Sequence, residues 1–206
     1  MQITSFSFWF FQWERLMSQR MNITFITEIS DAEAILENYR TVIGATYEAY
    51  LNHIRRVMTY ANWFTPFTYA ERKLVETAIA FHDLGFWCNN RIDYLKPSIA
   101  MAKSQSNETD ADSIAAIIHN HHRWMTYRGP HARLAEPVRK GDWIDVTKGR
   151  RLFGMPKQFQ IEVDNAIPNL GFRTQLLATA RSWPGTRFSN LRAANRLIFP
   201  GNKSTS

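Results

Sequence analysis

The chain has 206 residues, 45% hydrophobic and 14% aromatic, enough apolar surface for one domain with a real core and too much for a disordered chain. Its single cysteine, Cys88, excludes an intramolecular disulfide and any cysteine-based zinc site, so a metal here would need histidine and carboxylate ligands. The net charge of +7 is lopsided: no acidic residue follows Asp164, and Arg173, Arg181, Arg187, Arg192, Arg196 and Lys203 carry +6 of it. These cations are spaced out and match no nucleic-acid motif, so they read as a solvated basic face. The functional alternatives are attraction of a small anionic substrate and, more weakly, of nucleic acid or a membrane surface.

In chain order, residues 1–24 read as an N-terminal extension. The apolar run Ser5–Trp13 is too short to span a bilayer, and no basic residue leads into it as in a signal peptide. The expectation is a cytoplasmic protein without a transmembrane segment. Ser30 and Glu33 fit a capping box. The apolar positions Ile35, Leu36, Tyr39, Val42, Ile43, Tyr47, Leu51 and Ile54 then predict one long helix to about Tyr60. Thr68 and Glu71 form a second capping box, opening a helix that ends near Gly85.

Pro97 predicts a short helix over 98–103, and the polar stretch 104–110 a loop. A helix through Ile114, Ile117 and Ile118 ends around Arg123, and Tyr127–Pro130 is a turn. Further helices are predicted over 137–148, 157–166 and 172–182. No run of strands is legible, so the fold class is all-α, with residues 25–183 as the domain and 184–206 as an irregular basic tail.

The chemistry centres on His82-Asp83, at the end of an apolar helix in Phe81-His82-Asp83-Leu84-Gly85. Neighbouring residues on a helix point about 100° apart, yet both reach one ion if the helix end lies beside it. Imidazole with carboxylate suits Mn, Fe, Co, Ni or Zn. Upstream lies His53, followed by Ile54, Arg55, Arg56 and Val57; downstream lies Asp142, with Asp145 one turn further on the same helix face. A second concentration, His119, His121 and His122, falls between them, with His131 beyond.

The order of a histidine, a His-Asp pair and a later aspartate resembles the HD superfamily of metal-dependent phosphohydrolases, over roughly residues 45–150. The resemblance implies a helical bundle and a divalent metal held by His53, His82, Asp83 and Asp142, with Asp145 as a weaker alternative for the last ligand or as a supporting carboxylate. It implies a hydrolase acting on a small phosphorylated or nucleotide-like substrate. Binuclear members take extra histidine ligands, which His121 and His122 resemble, but no histidine occurs between Asp83 and His119. The expectation is therefore one ion, with Asp83, His121 and His122 as catalytic candidates.

Arg123 and Arg128 are the candidate substrate-binding cations, and Lys96 a weaker one. Arg56 is expected to pair with a buried carboxylate behind the site. Trp87, Trp124 and Trp143 read as core, and Cys88 as filler. The competing readings are a hydratase or iron oxygenase on the same ligands, and a metal-bound sensor or binding module.

Overall fold

The computed structural model describes residues 25–89 and 93–182. Among these residues there are ten α-helices, one 3-10 turn and no β-strand, so the fold is all-α. The expected N-terminal extension and basic tail lie outside the described residues. Among the described residues, no helix is long and apolar enough to cross a membrane.

The long helix expected from Ser30 to Tyr60 is three helices: α1 (Ser30–Glu37), α2 (Arg40–Ile43) and α3 (Tyr47–Phe64). The first break is a turn at Asn38–Tyr39, where Tyr39 has φ −112° and ψ 5°, and the second falls at Gly44, whose φ of 63° with ψ of −137° is open essentially to glycine alone. A 3-10 turn, Gly44–Thr46, then leads into α3. The Ser30 capping box does not form either. Ser30 is already helical and the cap position is Ile29. A carboxylate from elsewhere serves instead: Asp31 N–H donates to Glu76 Oε2 at 3.0 Å, and Arg72 holds the other oxygen of Glu76 at 2.6 Å.

Helix α3 is the axis of the bundle. Buried residues occur on every side of it, from Tyr47 to Ala61, which is how a helix enclosed by others reads. Helix α4 (Tyr69–Phe81) starts at the expected Thr68–Glu71 capping box and ends at His82, earlier than expected. Helix α5 (Gly85–Asn89) follows, then α6 (Leu95–Ser104) and α7 (Glu108–Asn120), the last capped by the Asn107 side chain. Helix α8 (Ala132–Val146) begins five residues before the expected start at Pro137, which lies inside the helix. Helices α9 (Lys157–Ala166) and α10 (Phe172–Ser182) have the predicted bounds.

The most extensive packing is between α3 and α8, with α7 against α4, α6 and α8. Gly141 permits the α3–α8 approach. A Cβ there would sit 2.6 Å from the Val57 carbonyl oxygen and 3.2 Å from the Ala61 nitrogen. The main core fills the space between α1, α3, α4 and α7. A smaller cluster of Tyr60, Ile144, Met155, Val163 and Ile167 lies where α9 covers the far end of α3. This arrangement brings the middle of α3, the ends of α4 and α7, and the last turns of α8 together.

Candidate metal centre

Helices α4 and α7 end with the same device. The residue after each last turn is a histidine whose Nδ1 lies 2.6 Å from the carbonyl oxygen three residues earlier: His82 on Ile79 and His121 on Ile118. A carbonyl only accepts, so both imidazoles carry their proton on Nδ1 and leave Nε2 bare. His53, on α3, reaches the same state through a carboxylate, since its Nδ1 lies 2.6 Å from Asp145 Oδ2. All three rings are fully buried and turn their bare nitrogens towards one another. This is the outer-partner arrangement by which ligating histidines are oriented in metal sites.

The inward atoms converge. His53 Nε2 and His82 Nε2 are 3.1 Å apart. His82 Nε2 lies 3.2 Å from Asp83 Oδ2, and Asp142 Oδ1 lies 3.5 Å from His53 Nε2 and 4.0 Å from His82 Nε2. Donors about 2.1 Å from one ion are roughly 3.0–3.4 Å apart when they neighbour each other in octahedral or tetrahedral coordination. The structure therefore brings together the four ligands implied by the sequence resemblance, from the middle of α3, the end of α4 and the last turns of α8.

His121 and His122 join the same cluster. His121 Nε2 lies 3.4 Å from Asp83 Oδ1, and His122 Nδ1 lies 3.6 Å from Asp142 Oδ2. Three overlapping donor groups result, each spanning no more than 4.8 Å: His53, His82 and Asp142; His82, Asp83 and His121; His121, His122 and Asp142.

Four buried side-chain atoms of the cluster have no hydrogen-bond partner: Asp83 Oδ1, His121 Nε2 and both oxygens of Asp142. Unpaired buried polar atoms are rare because each carries its full desolvation penalty. Acceptors that converge without a donor among them fit a cation, so these residues could hold a metal ion.

Burial and the crowding of charged groups shift the titration of the cluster. Burial, together with the nearby carboxylates of Asp83 and Asp145, holds the Asp142 carboxyl well above the ordinary range. Burial also raises Asp83, but the imidazoles of His82 and His121 outweigh it and hold this carboxyl well below the usual value. Burial lowers His53 despite its bond to Asp145. It would lower His82 too, but the adjacent Asp83 carboxylate raises that imidazole above its ordinary value.

Asp145 is not a free ligand. Arg56 takes both of its oxygens, donating from Nε to Oδ1 and from Nη2 to Oδ2 at 2.9 Å, while His53 shares Oδ2. Burial disfavours the Asp145 carboxylate, yet the Arg56 guanidinium and His53 hold it far below the ordinary range. Arg56 is thus the expected buried partner behind the site. Its Nη1 also donates to the carbonyls of Ile167 and Pro168 at 3.2 and 3.1 Å, tying the segment before α10 to the centre.

Other candidates lie elsewhere. His119 is exposed, and His131 sits 2.9 Å from Ser113 Oγ. Arg123 and Arg128 are exposed, and no hydrogen bond or ion pair joins either guanidinium to the cluster. Arg123 lies over the Tyr127 ring, and its carbonyl accepts from Arg139 and Trp143. Lys96 is exposed and Cys88 half-buried. Trp87 and Trp143 are core, but Trp124 is 53% exposed, under the Arg151 guanidinium.

The sequence reading did not find Tyr50, Tyr94 or Phe172 at the site. Phe172, the first residue of α10, stacks on His53 with ring centres 4.4 Å apart. Tyr50 stacks on both His53 and His82. Nothing in their sequence context separates them from ordinary core aromatics. Compared with known proteins, the chain matches no family model, no curated protein and no solved structure.

Proposed function

We propose that the chain is a metal-dependent hydrolase of the HD superfamily, acting on a small phosphorylated or nucleotide-like substrate. The observation that carries this reading is the buried donor group of His53, His82 and Asp142, with Asp83 Oδ2 3.8 Å from His53 Nε2 and 3.2 Å from His82 Nε2, and with carboxylate oxygens of Asp83 and Asp142 that no protein group satisfies. These four residues would hold one divalent ion. A divalent metal bound there would lower the pKa of a bound water and polarise a phosphoryl oxygen. The substrate class comes from the resemblance in the order of the motifs.

The chain's own residues have distinct roles in this reading. Asp145 and the carbonyls of Ile79 and Ile118 lock three imidazoles with Nε2 inward. Asp83 Oδ1, unpaired and 3.4 Å from His121 Nε2, is placed to take a proton from an attacking water. The side chains of His53, His82 and His121 are fully buried, whereas that of His122 is 17% exposed, which makes His122 the side from which a substrate would enter.

The test is elemental analysis of the purified protein, followed by a phosphoester panel with the bound metal restored. Metal-dependent release of phosphate or alcohol, lost in His82→Ala, is expected. Protein that neither contains nor takes up a divalent metal overturns the reading.

A second reading is favoured by one observation: His121 and His122 form a donor group with Asp142, so the cluster offers more imidazole nitrogens than a single four-ligand site uses. That suits an iron oxygenase on the same residues. Oxygen uptake coupled to substrate loss, with two irons per chain, would replace the hydrolase by it.

A further inference from the structure

Among the described residues, two arginines are fully buried, Arg56 on α3 and Arg139 on α8, and they are used alike. Each forks onto a carboxylate and gives a remaining N–H to the main chain beside the centre. Arg56 binds Asp145 and the carbonyls of Ile167 and Pro168. Arg139 binds Glu136, with Nε on Oε2 and Nη2 on Oε1, both at 2.6 Å, and its Nη1 donates to the Arg123 carbonyl at 3.0 Å. Trp143, one turn further on, donates to the same carbonyl from Nε1 at 3.1 Å.

That carbonyl follows directly on His121 and His122. The end of α7 reaches it without a break, since the Arg123 N–H donates to the Asn120 carbonyl at 2.9 Å. The His121 ring is tied to its own helix, with Nδ1 2.6 Å from the Ile118 carbonyl. Its place relative to Asp142 therefore depends on how the end of α7 is held against α8. Glu136, Arg139 and Trp143 share one stripe of α8, and Asp142 is the chain neighbour of Trp143. The same stripe fastens the far end of the loop, because the Tyr127 N–H donates to Glu136 Oε2 at 2.9 Å.

We propose that Arg139 and Trp143 are positioning residues for His121 and His122: by holding the Arg123 carbonyl, the helix that supplies Asp142 also sets where the two imidazoles meet it. The resulting separations are 3.4 Å from His121 Nε2 to Asp83 Oδ1 and 3.6 Å from His122 Nδ1 to Asp142 Oδ2. Stability alone is a weak reason for the arrangement, because desolvation offsets the attraction within a buried arginine–carboxylate pair. What a hydrophobic pair of similar volume could not supply is the donor on the Arg123 carbonyl. Tyr94 meets the cluster from another side, with its hydroxyl 2.5 Å from His122 Nε2. Its segment docks on the His82-Asp83 turn beside Gly85, where a Cβ would sit 2.5 Å from the Tyr94 carbonyl oxygen. These roles deepen the metal-centre reading and rest on it only for the use to which the two imidazoles are put.

The experiment compares wild type with Trp143→Phe, which keeps a ring but loses the N–H, and with Arg139→Lys, which keeps a cation for Glu136 but loses the fork. In metal-free protein, hydrogen exchange of the Arg123 amide is expected to quicken about tenfold in both, roughly the loss of one buried hydrogen bond, while amides at the end of α4 keep their rates. Co(II) uptake is expected to weaken by about tenfold, the lower end of the range for groups that orient metal ligands. In protein that also carries His121→Ala and His122→Ala, neither substitution is expected to weaken Co(II) uptake further, because the groups it positions are gone. Thr68→Ala, which removes the cap at the opposite end of α4 and costs stability in general, is expected to move neither readout. Unchanged Arg123 exchange overturns the proposal, as does unchanged uptake in a protein whose wild type binds Co(II). An equal loss of uptake without the two histidines, or in Thr68→Ala, marks a general structural role and also overturns it. Wild type that takes up no Co(II) removes the metal reading, while the exchange comparison still decides whether Arg139 and Trp143 hold the turn.

Discussion

His53 and His82 face each other through their Nε2 atoms across 3.1 Å, and each ring has its Nδ1 engaged on the far side. Two bare nitrogens at that separation repel unless a cation or a proton lies between them. The fold holds them there because α3 and α4 are clamped by the core around them, so a shared proton, or a cation bound in its place, would relieve the repulsion.

A metal should therefore stabilise the folded chain. An ion present at 100 times its dissociation constant adds about 2.7 kcal/mol. For a domain of this size each kcal/mol raises Tm by about 2–4 °C. The expected rise is about 5–10 °C on adding Mn(II) or Co(II), read by thermal melting. It should vanish in His82→Ala and in Asp142→Asn. A melting curve indifferent to every divalent ion would count against the cluster as a metal site.

Asp145 should act through His53 and Arg56 and not as a ligand. Asp145→Asn is expected to weaken metal binding by about 10–100-fold, measured by titration, as other outer partners do. It also leaves Arg56 without its buried counter-charge, at a cost of about 3–5 kcal/mol in denaturant unfolding at neutral pH.

That cost should depend on pH with a definite sign. The native carboxyl of Asp145 titrates far below its unfolded value. Its contribution is therefore complete above the ordinary aspartate pKa of about 3.9 and lost as pH falls below it towards the native value. The stability gap between wild type and Asp145→Asn, measured on metal-free protein, should be constant from about pH 5 to 7 and narrow below about pH 4. A gap that stays level into acid would mean that Arg56 and Asp145 are not the pair described.

Gly141→Ala tests the backbone that aims Asp142 and Asp145. The added Cβ meets the Val57 carbonyl at 2.6 Å, so α8 must move off α3. Overpacking of this kind costs about 1–3 kcal/mol, although alanine is the better helix former by up to about 1 kcal/mol. Reduced stability with weaker Co(II) uptake is the expected outcome. A gain in stability would show that the close approach is not needed.

His119 and His121 provide an internal contrast. His119 is exposed and His121 is buried against Asp83, two positions further along the chain. His119→Ala should leave metal affinity and Tm unchanged within error. His121→Ala should change metal binding, read as weakened Co(II) uptake or an altered Co(II) spectrum.

Several features were legible before any coordinates. The order of His53, His82-Asp83 and Asp142 named the four residues that meet at the centre. Apolar periodicity marked the helices around them, and the Thr68–Glu71 box and the bounds of α9 and α10 agree with their local signals. The Ser30 box failed because Glu76, distant in sequence, reaches the same helix start. The long helix failed because the chain turns at Asn38–Tyr39 and again at Gly44, conformations that the apolar pattern on either side does not report.

The sequence by itself determined the helical class and the kinds of donor the centre contains, because both depend on local periodicity and side-chain chemistry. Tertiary structure alone decided what each donor does. Which nitrogen of an imidazole is bare depends on the acceptor behind it, and for His53 that acceptor is Asp145, on another helix. Asp145 gave up its place as a ligand when Arg56 took its oxygens, and Gly141, a poor helix residue taken locally, is what lets α8 bring Asp142 to α3. Tyr94 reaches His122 only because Gly85 has no side chain to keep it away. Relationships of this kind are set by contacts between elements far apart along the chain.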